Sequence, residues 1–478
     1  MKEQKTENIY RNGNQALREA LALYKPSELL YVPIEIGKFN HKALVSNFFG
    51  DVLVKPFEFA NKKHGLRFFL EKVRTAAKST SCKKIFAACE SCGHYHLNLV
   101  HYVKESGLPV EAINPRDTRK ESPSKDAKTD TIDLKAIAGV LIQGKGARQI
   151  IPQGVYYRLQ RATRTRCKFI SYQTSSRNIV TGLVDRIFPG LWDKDDSIFS
   201  QRWGKGSLLV IEHYPHPGQV MRLGEERLAR FLRKNNTKLG TDTSKKIVGA
   251  AKDCLAKPVE EMDIDILSLK SHIACLKDYG EIINRLERET AILLLQTPGT
   301  YLLSIPGISV THASQFTGEV GDIRRFAYAN QIISYAGSCP RVFESVEYQA
   351  KGLPISRRGS KFLRSCLNQA ALVLNKWCQP FHTYYTRKST QKNDRPGIAR
   401  IATGNKFVKL AFALMKNEVL YRPQGLLLDE KSYYAGVWKK ILKKLEKFDL
   451  STLPQPNYLL KIKSWIEEKY GVALPLKV

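Results

Sequence analysis

Three β-rich runs follow one another with almost nothing between them. They are residues 27–37 (SELLYVPIEIG), 41–49 (HKALVSNFF) and 51–59 (DVLVKPFEF). Connections that short leave only antiparallel neighbours, so the runs predict a meander. The period then changes. Residues 63–78 (KHGLRFFLEKVRTAAK) place Leu66, Phe69, Leu70 and Val73 on one helical face. Residues 83–90 (KKIFAACE) read as a buried strand, 94–106 as a helix and 109–114 (PVEAIN) as a further strand. Residues 128–143 (KTDTIDLKAIAGVLIQ) close the region as a helix. Strands joined by helices put this half in the α/β class, in the order used by ribonuclease-H-like folds.

The remaining chain is expected to be mostly helical. Residues 262–296 space Ile266, Leu269, Ile273 and Leu276 at steps of three and four, slip at Tyr279, and resume with Ile283 and Leu286. That is one apolar seam, suited to a coiled-coil partner or to an ordinary core. Pro306-Gly307-Ile308 lies between two apolar runs, the layout of a helix-hairpin-helix whose turn amides can face a phosphate. The division expected is a tail at 1–27, an α/β domain at 28–148, a basic helical region at 149–297, a C-terminal domain at 298–400 and an extension at 401–478.

Charge narrows the partners. The 478 residues carry 77 Lys and Arg against 45 Asp and Glu, a formal net charge of +32. A field of that size suits a polyanion such as DNA far better than a small neutral molecule. Arg158, Arg161 and Arg164 recur at a helical step of three, and Arg357, Arg358, Lys361 and Arg364 form a second cluster. Both suit phosphate contacts, with a solvated helix face as the plain alternative. No apolar run is long enough to span a bilayer and the N-terminus has no signal-peptide core. The nine scattered cysteines read as reduced thiols, so a cytoplasmic location is expected.

The acids carry the chemistry. Glu35 interrupts an apolar strand, where a carboxylate is costly without a partner. Glu90 ends the fourth strand, and Asp130 and Asp133 sit three apart at a helix start, so they share a face. Hard oxygen donors of this kind suit Mg²⁺ or Mn²⁺, and two ions about 4 Å apart can assist phosphodiester cleavage. Cys89, Cys92, His94 and His96 offer a zinc pattern, but it overlaps the strand end that holds Glu90, and packed thiols are the expected reading.

Several segments resemble the DEDD transposases of the insertion-sequence one-ten family, the bridge-RNA-guided recombinases. They are IEIGKFNH, Glu90-Ser-Cys-Gly-His-Tyr95 and KTDTIDLKAIA in the first half. LLSIPGISVTHASQF, GDIRRFAYANQIISYAG, PRVFESVEY and ISRRGSKFLRSCL follow in the second. The resemblance implies a RuvC-like domain binding Mg²⁺ or Mn²⁺ through Glu35, Glu90, Asp130 and Asp133. It also implies a C-terminal transposase domain in which Ser345 is the nucleophile. The partners implied are donor and target DNA, a structured non-coding guide RNA and further copies of the chain, as a dimer or tetramer. Two positions depart from the family pattern. Glu35 stands where the family usually has aspartate, and Val346 where a glycine usually follows the serine. A metal-dependent nuclease using water, and a nucleic-acid-binding scaffold without chemistry, are the alternatives.

Overall fold

A computed structural model of the chain describes residues 15–91, 93–122, 129–144, 148–149, 151–193, 198–237, 239–341, 343–345, 348–349, 353–391, 395–423, 425, 428–448 and 457–475. It divides into two compact units, Met1–Ile151 and Pro152–Val478.

The first unit opens with α1 (Gln15–Leu23), a helix inside the stretch expected as a tail. The meander follows as β1 (Leu29–Glu35), β2 (Asn40–Asn47) and β3 (Val52–Ala60). Then come α2 (Lys63–Ser79), β4 (Lys84–Glu90), α3 (His96–Glu105), β5 (Val110–Ile113), α4 (Pro115–Lys120), α5 (Asp130–Ile142) and the two-residue β6 (Arg148–Gln149). The sheet order is β3-β2-β1-β4-β5-β6. Pairs β1/β2 and β2/β3 are antiparallel, and β1/β4 and β4/β5 are parallel. The expected α/β architecture is therefore present, with each expected strand and helix of this half found within a few residues.

Side-chain alternation splits the sheet into two faces. Leu30, Val32, Ile34, Ala87 and Cys89 pack with Phe69 and Val73 of α2 and with Val100 and Val103 of α3. Leu29, Tyr31, Ala88 and Ile113 pack with Leu17 and Ala20 of α1 and with Ile137, Val140 and Leu141 of α5. Central strands covered on both faces become continuous apolar runs, which is why LLYVPI shows no polar alternation. α5 is apolar nearly all round and starts cleanly, because the Thr129 hydroxyl accepts from the Ile132 amide at 3.3 Å.

The second unit is mostly helical. α6 (Gly154–Ile187) is followed by α7 (Lys205–His213), α8 (Pro217–Leu223), α9 (Glu225–Lys234), α10 (Thr241–Asp253) and α11 (Asp263–Leu294). α11 lies antiparallel along α6, tied by Arg166–Glu287 at 2.7 Å near one end and Arg186–Asp265 at 2.9 Å near the other. Leu269 and Ile273 of the apolar seam are buried there with Val180 and Val184 of α6. After α11 come α12 (Val310–Val320), α13 (Ala329–Ala336), β7 (Glu344–Ser345), β8 (Tyr348–Gln349) and α14 (Lys361–Trp377). α15 (Gln379–Thr390), α16 (Pro396–Asn417), α17 (Glu430–Leu445) and α18 (Tyr458–Tyr470) complete the unit.

Two differences from expectation have physical causes. The run before Pro306 is a buried 3-10 turn, Pro298–Ser304. Gly307 adopts φ +84°, and a Cβ there would lie 2.9 Å from Val373 and Trp377 of α14. Packing against α14 accounts for this glycine. The boundary expected at residue 400 falls inside α16. α17 and α18 close the same core, with Trp438, Ile441, Ile462 and Ile466 all fully buried. Lys444 donates to the carbonyls of Leu303 at 2.6 Å and Ile305 at 3.0 Å, so the last helices also satisfy the end of the 3-10 turn. Among the described residues, no helix is long and apolar enough to cross a membrane.

Candidate active site

Glu35 and Glu90 end the two central strands of the first unit, and Asp130 and Asp133 open the helix packed over them. In the parallel β1/β4 pair Ile34 is level with Cys89, so the next step sets Glu35 level with Glu90. Adjacent strands lie about 4.8 Å apart, and level residues project to the same face. Leu29 and Tyr31 face α5, and Glu35, at the same parity, does too. Across the antiparallel side, Glu35 pairs with Lys42 of β2, and Lys42 with Glu58 of β3. Glu58, Lys42, Glu35 and Glu90 thus form one transverse row. α5 packs over β1 and β4 and contributes Asp130 and Asp133 in its first turn.

Three contacts fix the row. Lys42 Nζ lies 3.8 Å from Glu58 Oε1 and 3.6 Å from Asp130 Oδ2. The Thr118 hydroxyl of α4 donates to Glu90 Oε2 at 3.3 Å. Asp133 is half-buried and Asp130 exposed, and both lie where the α5 N-terminus favours negative charge. Lys42, Glu58 and Thr118 escape a reading of the sequence, because strand register and the placement of α4 bring them in. The lysine's place in the strand HKALVSN was the available signal.

The donor set is all hard oxygen and fits a divalent Mg²⁺-like ion by type. Among the described residues no three acid, histidine or cysteine side chains converge closely enough to hold an ion together. The zinc pattern is not assembled among them either. Cys89 is buried on the opposite sheet face, where burial and the nearby Glu35 carboxylate push its thiol up to about 12. Cys92 lies outside the described residues.

In the second unit, Ser345 sits on a two-strand hairpin in which Glu344 pairs with Gln349 and Ser345 with Tyr348. The Ser345 side chain and Val346 lie outside the described residues. The base is pinned where the Arg341 amide donates to the Pro354 carbonyl at 3.0 Å and Ser356 to Cys339 at 2.9 Å. Gly337, at φ +67°, ends α13, and a Cβ there would stand 2.7 Å from the Arg358 amide. This close approach brings the Arg357–Arg358 segment against the helix end.

The basic residues divide by their surroundings. Arg158, Arg161, Arg357, Arg358 and Lys361 are exposed. Arg164 is committed elsewhere. Its guanidinium grips Glu319 of α12 at 2.6 and 2.9 Å, and Glu319 is 0% exposed. The Ser360 hydroxyl, which caps α14, donates to the same carboxylate at 2.5 Å. Arg364 donates to the carbonyls of Ala336 at 2.9 Å and Gly359 at 3.0 Å. These two arginines hold the frame beneath the exposed cations.

Known proteins match along both units. A family model described as "Transposase IS116/IS110/IS902 family" matches residues 299–386, and one described as "Transposase", of the DEDD type, matches residues 32–189. The insertion element IS900 uncharacterized 42 kDa protein of Mycobacterium paratuberculosis is 23% identical over 49% of this chain and 58% of its own length. The IS116 uncharacterized 44.8 kDa protein of Streptomyces clavuligerus is 21% identical over 82% of this chain and 96% of its own. A pilin gene-inverting protein of Moraxella bovis is 25% identical over 30% of this chain and 45% of its own. Against the first of these relatives the chain spans a little more than half the length. The matches together show likeness to IS110-family transposases, with the DEDD-type likeness lying over the α/β half and the start of the helical half.

Proposed function

We propose, for a chain with two segments similar to IS110-family transposases, that it is a DNA recombinase whose carboxylates and serine take part in one reaction. The observation that carries this reading is the row that levels Glu35 with Glu90 on neighbouring parallel strand ends, beneath a helix opening on Asp130 and Asp133. The first unit supplies the acids and the second unit the serine.

In this reading Glu35, Glu90, Asp130 and Asp133 are the ligands of Mg²⁺ or Mn²⁺, which when bound supplies Lewis acidity at a DNA phosphate. Thr118 orients the Glu90 carboxylate. Ser345 Oγ gives up its proton and attacks a backbone phosphorus. A phosphoserine ester forms as the bond to a deoxyribose oxygen breaks, and that oxygen takes up a proton. Attack on the phosphoserine by a deoxyribose hydroxyl of the second DNA reverses the exchange, so rejoining needs no outside energy. Arg158, Arg161, Arg357, Arg358 and Lys361 meet phosphates and give salt-sensitive binding without sequence readout. A structured non-coding RNA supplies the base pairing with donor and target, and the formal charge of +32 supports a large nucleic-acid load. Joining two duplexes takes several serines, so the working form is a dimer or tetramer.

The test is a denaturation-resistant protein–DNA adduct. The intact chain is expected to form one and Ser345→Ala none. Cleavage that persists in Ser345→Ala with water as nucleophile would replace this reading with a nuclease.

A further inference from the structure

Among the described residues, Lys42 is the cation that the strand register sets in a row of acids. It stands between Glu58 and Glu35 in the strand register, and its ammonium lies 3.6 Å from Asp130. The side chain is 26% exposed, so it crosses the sheet surface toward α5 without extending freely into solvent. An ordinary surface pair would be satisfied by Glu58 alone. Here the longer reach, off the sheet and onto the helix, is made as well, and the contact to Asp130 is the shorter of the two. A cation beside Asp130 therefore exists within the protein itself.

We propose, resting on the metal-site reading above, that Lys42 is the resident counter-cation of the carboxylate row. A divalent ion that engages Asp130 has to displace its ammonium. Two cations sharing one carboxylate repel each other at such distances. Lys42 and the ion are thus negatively coupled, and the coupling is reciprocal. Without an ion, Lys42 offsets repulsion among Glu35, Glu90, Asp130 and Asp133 and keeps the row folded. With one bound, its side chain turns toward Glu58. Lys42 is a positioning residue, acting through the acids and not on the DNA.

The test is Mn²⁺ binding to the full chain by calorimetry or electron paramagnetic resonance, with no DNA present. Lys42→Met is expected to bind Mn²⁺ roughly tenfold more tightly than the parent chain, because the competing charge is gone. Lys42→Arg, which keeps the charge, is expected to stay within about twofold. In the parent chain, Mn²⁺ is expected to speed acylation of Lys42 by an amine-reactive reagent several-fold, since the freed ammonium becomes accessible. Equal or weaker binding in Lys42→Met, with the parent chain binding normally, overturns the proposal and leaves the metal site standing. No Mn²⁺ binding in any form overturns the metal site and the proposal together.

Discussion

Replacing Arg164 with alanine separates its structural role from a nucleic-acid contact. Glu319 is 0% exposed and accepts from Arg164 at 2.6 and 2.9 Å, with Ser360 as its other donor. Removing one partner of a buried pair strands the other charge and costs about 3–5 kcal/mol. Arg164 is itself 32% exposed and Ser360 remains, so the lower end, about 3 kcal/mol, is expected. For a unit of this size each kcal/mol moves the melting temperature by roughly 2 °C, which gives a fall of about 6 °C. Arg161→Ala, on the exposed side of α6, is expected to leave melting unchanged and to weaken DNA binding. Pairing Arg164→Met with Glu319→Gln removes both charges and is expected to recover part of the loss, a coupling that a double-mutant cycle reads directly. Calorimetric melting together with DNA titration at fixed salt supplies both numbers. If Arg164→Ala melts like the parent chain and loses DNA affinity more than Arg161→Ala does, the buried-pair account is refuted.

Two further outcomes follow from the second unit. Burial of Lys444 lowers its pKa from 10.5 to about 8. The unfolded chain therefore holds this proton longer, and stability rises with pH between about 8 and 10.5, with a penalty of roughly 3 kcal/mol below that window. The stability of the parent chain relative to Lys444→Met is expected to increase by about 2 kcal/mol from pH 8 to 9.5, measured by denaturant unfolding, and a flat difference would contradict it. Gly307→Ala is expected to cost about 2–4 kcal/mol, from positive φ and from overpacking on Val373 and Trp377. A fully stable Gly307→Ala with weakened DNA binding would instead make the turn a phosphate contact.

The first unit was legible because its elements carried their own signals: short connections for the meander, an apolar run for β4, a helical pattern for α5. Glu35 stood out as a charge interrupting an apolar strand and Glu90 as one ending a strand, and period alone put Asp130 beside Asp133. Register could not be read. Lys42 and Glu58 belong to the row only because of how β1, β2 and β3 align. Thr118 joins it because α4 turns back on the end of β4. Arg164 illustrates the larger gap. A step of three along α6 predicts a stripe, and nothing local reveals a buried carboxylate 155 residues away. α17 and α18 carry no motif, yet Trp438 and Ile462 complete the core, because burial leaves no pattern beyond amphipathicity. Ser345 came from resemblance alone, since a serine without a neighbouring base has no chemical signature.

The central claim is that the carboxylates of one unit and the serine of the other serve a single reaction. Glu90→Gln tests it with the adduct assay, because Glu90 lies in the first unit and the covalent bond would form in the second. With Mn²⁺ present, Glu90→Gln is expected to bind DNA as the parent chain does and to form no phosphoserine at Ser345 by mass spectrometry. An undiminished adduct at Ser345 in Glu90→Gln would show that the two chemistries are independent.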